Sequence, residues 1–228
     1  MANLRNFFRF EQVMNNILNF SGVFNDENWL PEGLSYFDFR TLEGCSCYCS
    51  PESESIIRKA VTECGKAGVC WIDTGDYHYI SLFRIELLKE PFLLALFDNH
   101  SDDEPDSLSS GLLSCGNWVK QARERISLMK GDYRNSDSLP GTLPVFLSID
   151  LDVLSRDFAR TDWTHGDMSV TTLLSSIDKI RETHPIAGVD ICGGLTVAKG
   201  ARAEDLSINA GTRSLLYSYF QSHPPVSG

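Results

Sequence analysis

Residues 91–104 read PFLLALFDNHSDDE, an apolar run that stops abruptly at acidic and imidazole side chains. The apolar part predicts a buried strand, and Asp98, His100 and Asp102 follow it at alternate positions. Alternate side chains of extended backbone point to the same side. The stretch therefore predicts three metal-capable side chains presented together at the end of one strand.

Two more segments share this pattern. Residues 144–152, PVFLSIDLD, predict a strand that closes on Asp150 and Asp152, and the predicted strand 69–72 leads through DTGDYH to His78. The carboxyl ends of parallel strands lie at one edge of an open α/β sheet, where ligands bind. We therefore expect six side chains to meet at that edge: His78, Asp98, His100, Asp102, Asp150 and Asp152.

The rest of the chain alternates predicted strands with predicted helices. Further strands are predicted at 34–39 and 186–191, helices at 4–20, 79–89, 116–129, 169–183 and 212–220, and one more helix that Ser53 or Ser55 caps. Such alternation predicts a parallel sheet covered on both faces. The predicted fold class is therefore α/β, a three-layer α-β-α arrangement with a mostly parallel sheet, in a single domain spanning residues 1–228.

The composition narrows the choice of partners. The formal net charge is −11, and because phosphate binding needs clustered Lys and Arg, nucleic acid is not an expected partner. No apolar run reaches the ~18 residues of a membrane-spanning helix, so we expect a cytoplasmic protein without a membrane partner. The seven cysteines are expected to be reduced thiols. Cys45, Cys47 and Cys49 could hold a soft metal, but no second Cys or His pair at zinc-site spacing accompanies them.

The six side chains indicate a particular chemistry. Four carboxylates in a partly desolvated crevice repel one another, and two divalent ions would balance their charge. Carboxylates combined with some imidazole suit harder ions such as Mn²⁺, whereas thiolates would favour Zn²⁺. Two ions about 3.5 to 4 Å apart can acidify a water molecule for attack on an electrophilic carbon. The pattern thus predicts metal-assisted hydrolysis.

Three motifs resemble the metal motifs of the arginase (ureohydrolase) superfamily in type, order and approximate spacing. They are GDYH at 75–78, DNHSD at 98–102 and SIDLD at 148–152, and the resemblance covers about residues 69–219. It implies an arginase-like fold, two Mn²⁺ ions per chain, and hydrolysis of a C–N bond in a guanidino or amidino group.

The resemblance also implies a role for each ligand. Asp98 and Asp150 would bridge the two ions. A histidine and an aspartate would complete each coordination shell: His78 with Asp102 at one ion, and His100 with Asp152 at the other. Asp102 would in addition be catalytic, because it accepts a hydrogen bond from the attacking water.

The sequence departs from the family around the substrate. The family strand that ends in Asp-x-x-Glu, whose Glu holds the guanidinium, is here DICG at residues 190–193, and the loop after the second motif lacks the proton-shuttling His of arginases. Asp190 is therefore the candidate substrate-binding carboxylate, with Glu204 and Asp205 as alternatives. His165 is the candidate catalytic proton shuttle.

These departures resemble a divergent branch of arginase-like proteins that includes peptide arginases, which convert arginine within a peptide to ornithine and urea. The implied partner is a small guanidino compound or an arginine-containing peptide, and a homo-oligomer is compatible with the resemblance. Two alternatives stay open. One is an amide hydrolase related to the deacetylases, which share the fold but use one zinc ion; the other is a metal-binding protein of arginase fold without catalysis.

Overall fold

The computed structural model describes residues 15–65, 68–105 and 111–226 of the chain. Seven strands form one sheet: β1 Asn16–Asn19, β2 Ser35–Asp38, β3 Val69–Ile72, β4 Phe92–Phe97, β5 Met129–Arg134, β6 Val145–Asp150 and β7 Ile186–Cys192. Their order across the sheet is β2-β1-β3-β7-β6-β4-β5, and all neighbouring strands pair in parallel. The last of the described strands, β7, is therefore inserted at the centre of the sheet.

Helices connect the strands. The α-helices are α1 Val23–Asp26, α2 Pro51–Cys64, α3 Ile80–Ile85, α4 Trp118–Arg125, α5 Val170–Thr183 and α6 Ala203–Ser222. Short 3₁₀-helices follow β3 at Gly75–Tyr77 and β6 at Leu151–Val153, and a third precedes α6 at Val197–Lys199. None of the helices in the described ranges combines the length and apolar composition that crossing a membrane requires.

Two apolar clusters lie on opposite faces of the sheet. The side chains of β4 alternate between them, with Leu93, Ala95 and Phe97 in one cluster and Leu94 and Leu96 in the other. The first cluster includes side chains of α1, α5 and α6, and the second includes side chains of α2, α3 and α4. The predicted three-layer α-β-α fold is confirmed, and the described sheet is parallel throughout rather than mostly parallel.

The predicted helix over residues 4–20 is wrong where it can be compared, because residues 16–19 form β1; residues 4–14 lie outside the described ranges. β1 pairs with β2 on one side and with β3 on the other. Ile17 is buried in one apolar cluster and Leu18 in the other. Because both faces of this strand are buried, the period of two that marks a strand is hidden in the sequence.

The sequence does not predict the edge strand β5. It reads MKGDYR and pairs with β4 alone, so one side of the strand lies away from the sheet and its composition is polar. The helix predicted over 116–129 accordingly ends earlier, at Arg125, and α3 is shorter than the predicted 79–89. The position of β5 at the edge of the sheet therefore explains why the sequence pattern does not predict this strand.

Two helix starts also differ from prediction. Ser50, rather than Ser53 or Ser55, caps α2, because its side-chain oxygen accepts a hydrogen bond from the Ser53 N–H at 3.2 Å. α6 begins well before residue 212, because Asp205 Oδ2 accepts a hydrogen bond from the Arg202 N–H at 2.9 Å and closes the first turn.

Candidate metal centre

Four neighbouring strands deliver polar side chains to one edge of the sheet. β3, β7, β6 and β4 lie side by side in that order. Their carboxyl ends lead to four residues in the same order: His78, Cys192, Asp150 and Asp98. The topology therefore brings the three predicted metal motifs together where open parallel sheets bind ligands.

A buried group of donor atoms surrounds His78. Its Nδ1 lies 2.9 Å from Asp102 Oδ2, 3.1 Å from Asp98 Oδ2 and 3.7 Å from Asp150 Oδ2. All four side chains are buried. Donor atoms of His78, Asp98 and Asp102 lie within 4.8 Å of one another, a spacing that suits a metal ion. We call this the inner group.

A second group surrounds His100 and shares Asp98 with the first. His100 Nδ1 lies 2.7 Å from Asp152 Oδ2 and 3.7 Å from Asp98 Oδ1, and donor atoms of all three residues lie within 4.8 Å of one another. The His100 side chain is 35% exposed, whereas that of His78 is 2% exposed. We therefore call this the outer group.

Local hydrogen bonds aim the acidic side chains. β4 ends at Phe97. Just beyond it, Asp98 Oδ1 accepts a hydrogen bond from the His100 N–H at 2.6 Å, and the backbone of Asp102 has a left-handed φ of 50°. Asp150 Oδ1 accepts a hydrogen bond from the Asp152 N–H at 3.0 Å. The expected extended backbone over 98–102 is thus replaced by a turn, although the side chains converge as predicted.

A hydroxyl group contacts Nε2 of each imidazole, on the side of the ring away from the carboxylates. His78 Nε2 lies 2.8 Å from Ser148 Oγ, and His100 Nε2 lies 2.9 Å from Thr164 Oγ1. In both rings Nδ1 is consequently the nitrogen that faces the carboxylates. Contacts of this kind fix the ring orientation of histidines in metal sites.

The carboxylates perturb one another strongly. Burial, together with the negative charges of Asp150 and Asp98, raises the pKa of Asp152 to about 9. Burial and the Asp98 charge also raise the pKa of Asp102, to about 6, and that of Asp150. At Asp98 burial is outweighed by hydrogen bonding from His100 and by the charge of the neighbouring His78 imidazole, which lower its pKa to about 2. A hydrogen bond to Asp98 and the charges of Asp152 and Asp98 outweigh burial at His100 and raise its pKa to about 9. Without a metal the cluster therefore holds positive charge on imidazole, and a bound cation would take over that role.

Asp190 does not join this cluster. It lies inside β7, and its Oδ1 accepts a hydrogen bond from Arg84 Nε at 3.0 Å, with both side chains buried. Its alternatives lie in the first turn of α6, where Asp205 pairs with Arg160 at 3.0 Å. None of these acids is among the side chains that line the cavity described below. The geometry gives Asp190, Glu204 and Asp205 no support as substrate-binding carboxylates.

His165 is held within its own loop. Its Nδ1 donates to the Leu154 carbonyl oxygen at 3.0 Å, and its Nε2 accepts a hydrogen bond from the Thr161 N–H at 3.2 Å. Burial lowers the pKa of His165, and the side chain is not among those lining the cavity. The geometry therefore gives no support to a proton-shuttle role for this residue.

A cavity of about 330 Å³ opens over the inner and outer groups. Trp163 contributes an aromatic wall, with its ring edge-on to His100 at 5.6 Å between centroids. The walls also contain four residues in loops, whose isolated side chains have no spacing pattern that would mark them in the sequence: Tyr48, Glu104, Ser114 and Cys115. Of the C-x-C-x-C run, Cys47 lines the cavity, whereas Cys45 and Cys49 are buried, and none of the three belongs to a metal-type group within the described residues.

A network of ion pairs and hydrogen bonds holds the Trp163 side chain in the cavity wall. Trp163 Nε1 donates to Asp76 Oδ1 at 3.2 Å, and Lys199 Nζ donates to Asp76 Oδ2 at 2.8 Å. Lys199 also pairs with Asp162. Three separate connections of the fold are therefore joined beside the cavity.

Gly193 stands where the arginase resemblance places a substrate-binding Glu. A Cβ at this position would lie 2.7 Å from Asp150 Oδ1 and 2.8 Å from the Leu151 nitrogen, and φ is +103°. Contacts this short with a buried side chain and with backbone leave no room for a side chain. The missing carboxylate is thus a property of the local packing as well as of the sequence.

Comparison with known proteins identifies the fold. The chain matches no family model. It is 29% identical over 196 residues to an uncharacterized protein of Thermotoga maritima, with 78% of each chain covered. Among solved structures it resembles the proclavaminate amidino hydrolase of Streptomyces clavuligerus, with a TM-score of 0.63, 14% identity, and 92% of this chain and 93% of the other covered.

A second solved structure has a similar fold. It is a triple mutant of the Trypanosoma brucei arginase-like protein bound with Mn²⁺, with a TM-score of 0.62, 16% identity, and 94% of this chain and 92% of the other covered. The chain therefore has the arginase fold. The resemblance inferred from the three sequence motifs is confirmed at the level of that fold.

Proposed function

We propose that this protein is a metal-dependent hydrolase that uses two divalent ions to cleave a C–N bond of a guanidino or amidino group. The observation that carries the proposal is the pair of donor groups that share Asp98, within one cavity at the carboxyl edge of an arginase-fold sheet. Arginase-like and amidino hydrolase structures with the same fold support this reaction class.

The residues fit two cations. Asp98 Oδ2 is buried without a hydrogen-bond partner, although it lies 3.1 Å from His78 Nδ1. Four carboxylates and two neutral imidazoles carry a formal charge of −4, which two divalent ions cancel. Oxygen donors with some imidazole suit Mn²⁺. The inner ion would be held by His78, Asp98, Asp102 and Asp150, and the outer ion by Asp98, His100, Asp150 and Asp152.

Two bound divalent ions would supply acidified water and polarise the substrate. The chain would supply orientation. Trp118 Nε1 donates to Asp102 Oδ2 at 2.6 Å and holds that carboxylate toward the cavity, where it can accept a hydrogen bond from the attacking water. Asp152 Oδ1 is held likewise by the Asn99 N–H at 3.0 Å. Pre-positioned acceptors of this kind lower the cost of reaching the reactive geometry.

The cavity mouth suits a planar cation. Trp163 and Tyr48 are 38% and 41% exposed, and both line the opening together with Glu104. Aromatic faces attract guanidinium ions, and a carboxylate pairs with them. The proposed substrate is a small guanidino compound or an arginine side chain within a peptide, giving ornithine and urea in the second case. The exposed mouth favours the peptide, because a chain could continue into solvent.

A second candidate is a metal-binding protein of arginase fold without catalysis. Two observations favour it: Gly193 leaves no room for a side chain, and both ring nitrogens of His165 are engaged in its own loop. This candidate predicts the same metal content but no turnover. A deacetylase-like amide hydrolase, in contrast, predicts one ion per chain.

Metal analysis coupled to an activity assay tests the proposal. Protein loaded with Mn²⁺ should hold two ions per chain and release urea from arginine, agmatine or arginine-containing peptides. Asp102→Asn should lose metal and activity. Asp103→Asn is the matched control, because this neighbouring acid pairs with Arg123 at 3.1 Å and belongs to neither donor group.

The other possible outcomes each distinguish between the candidates. Folded protein that takes up no Mn²⁺ would refute the metal centre and the hydrolase together. Two ions without turnover on guanidino, amidino and amide substrates would favour the non-catalytic candidate. One ion with amide hydrolysis would favour the deacetylase-like enzyme.

A further inference from the structure

The ends of β6 and β7 place a thiol beside the inner donor group. Asp150 and Cys192 are register partners across these strands, and Cys192 Sγ donates to Asp150 Oδ2 at 3.2 Å. The Cys192 side chain is 1% exposed. Its sulfur, an Asp150 oxygen and a His78 ring nitrogen lie within 4.8 Å of one another.

A second observation points to a ligand at the same place. Asp98 Oδ2, the buried oxygen without a hydrogen-bond partner, faces the same His78 imidazole at 3.1 Å. His78 thus belongs to two sets of donor atoms, one with Asp98 and Asp102 and the other with Asp150 and Cys192. The outer group, around the half-exposed His100, has only nitrogen and oxygen donors in the described residues.

We propose that Cys192 is an additional ligand of the inner ion, so that the two positions select different metals. Thiolates favour borderline and soft ions such as Zn²⁺ and Co²⁺, whereas carboxylates favour Mn²⁺. The inner position therefore binds Zn²⁺ or Co²⁺ more tightly than Mn²⁺, with which it can also be loaded, whereas the outer position prefers Mn²⁺. The inference rests on the proposed metal centre, and the thiol proton passes to solvent when sulfur binds the ion.

The strand geometry holds the sulfur in place. β7 lies between β3 and β6, and the Gly193 N–H donates to the Asp73 carbonyl oxygen at 3.0 Å just beyond Cys192. The absent Cβ of Gly193 allows Asp150 to approach this turn closely. Cys192 is consequently fixed by backbone contacts on both sides and needs no loop rearrangement to reach a metal.

Cobalt titration tests the proposal through a spectrum rather than through activity. The first equivalent of Co²⁺ added to wild-type protein should produce a thiolate-to-cobalt charge-transfer band in the near ultraviolet. Cys192→Ser should lose this band, keep the visible d–d bands of bound Co²⁺, and bind Zn²⁺ at least about tenfold more weakly. The matched control is the double variant Cys47→Ser, Cys115→Ser, which removes the two thiols that line the cavity and should keep the band.

The outcomes separate this inference from the proposed function. Cobalt d–d bands without a thiolate band in wild-type protein would overturn the role of Cys192 and leave the metal centre intact. A thiolate band that persists in Cys192→Ser would also overturn it. Absence of any Co²⁺ binding by folded protein would overturn both proposals.

A measurement on wild-type protein covers the case in which Cys192→Ser does not fold. X-ray absorption at the zinc edge of protein loaded with one equivalent of Zn²⁺ should show a sulfur scatterer at about 2.3 Å. A shell of nitrogen and oxygen alone would overturn the proposal. The Cys47→Ser, Cys115→Ser variant should give the same sulfur shell as the wild-type protein.

Discussion

The structure buries carboxylates in two different settings. Glu27 lies 2.5 Å from Arg213 Nε, and Asp190 lies 3.0 Å from Arg84 Nε, with all four side chains buried. Each of these acids has its own cation inside the chain. The inner and outer groups gather four acids around two imidazoles, with no Arg or Lys among the cavity walls of the described residues. Each arginine pair is complete in charge, with one cation for one acid, whereas the cluster sets two imidazoles against four acids and is incomplete in charge.

The largest effect should come from breaking a complete pair. Arg213→Met leaves Glu27 buried without its cation and should lower the free energy of unfolding by about 3 to 5 kcal/mol, measured by urea denaturation. The double variant Glu27→Gln, Arg213→Met should recover part of this loss, because no uncompensated charge remains. Equal losses in the single and double variants would mean that the ion pair does not explain the effect.

Metal binding should stabilise the incomplete cluster by a comparable amount. Mn²⁺ at about 100 times its Kd should raise the free energy of unfolding by about 2.7 kcal/mol for one site, because the ion binds the folded state alone. A chelator should reverse the rise in melting temperature. An unchanged melting temperature with Mn²⁺, Zn²⁺ and Co²⁺ would remove the distinction between the two settings.

A smaller effect of opposite sign is expected within the cluster. Asp152→Asn keeps an acceptor for the Asn99 N–H but removes a carboxyl group whose pKa is raised to about 9 by burial and by the charges of Asp150 and Asp98, so that folding at neutral pH has to protonate it. In metal-free protein it should therefore raise stability by about 1 kcal/mol. The same variant should lose the stabilisation that Mn²⁺ gives the wild-type protein. Destabilisation of the metal-free variant would show that the cluster is balanced without a cation.

The smallest change in the free energy of unfolding should come from breaking an exposed ion pair, and this change is the reference for the effects of the buried groups. Arg123 lies 2.7 Å from Asp132 on the surface, with its side chain 45% exposed. Arg123→Met, the same substitution as at Arg213, should cost less than about 1 kcal/mol in urea denaturation, because water screens this pair. A loss similar to that of Arg213→Met would indicate that burial does not set the difference.

The sequence predicts the parts of this protein that repeat a pattern. Asp98 follows the apolar strand FLLALF, and Asp150 ends the largely apolar strand VFLSID, so both strands and the acids at their ends are recognisable. Asp190 also follows an apolar stretch, so its position predicts that it lies at the carboxyl end of a strand. β7 instead continues to Cys192, which leaves Asp190 two residues inside the strand. A shift of this size turns an expected site residue into a core ion pair.

Other features depend on tertiary contacts that leave no periodic signal. Trp163 reaches the cavity because Asp76 and Lys199, distant in sequence, hold its loop. β1 is missed because burial on both faces conceals its alternation, and β5 because an edge strand can be polar. The sequence therefore predicts the layers, most of the central strands and the cluster of acids and histidines, but not the walls of the cavity over that cluster.

The strand order also has a consequence for protein synthesis. Residues of β3, β4 and β6 leave the ribosome before those of β7, yet β7 separates β3 from β6 in the finished sheet. A nascent chain that ends before residue 186 therefore cannot set His78 opposite Asp150 as the folded protein does. The metal-type cluster becomes complete only after β7 has been translated, so ion capture would follow the synthesis of all seven described strands.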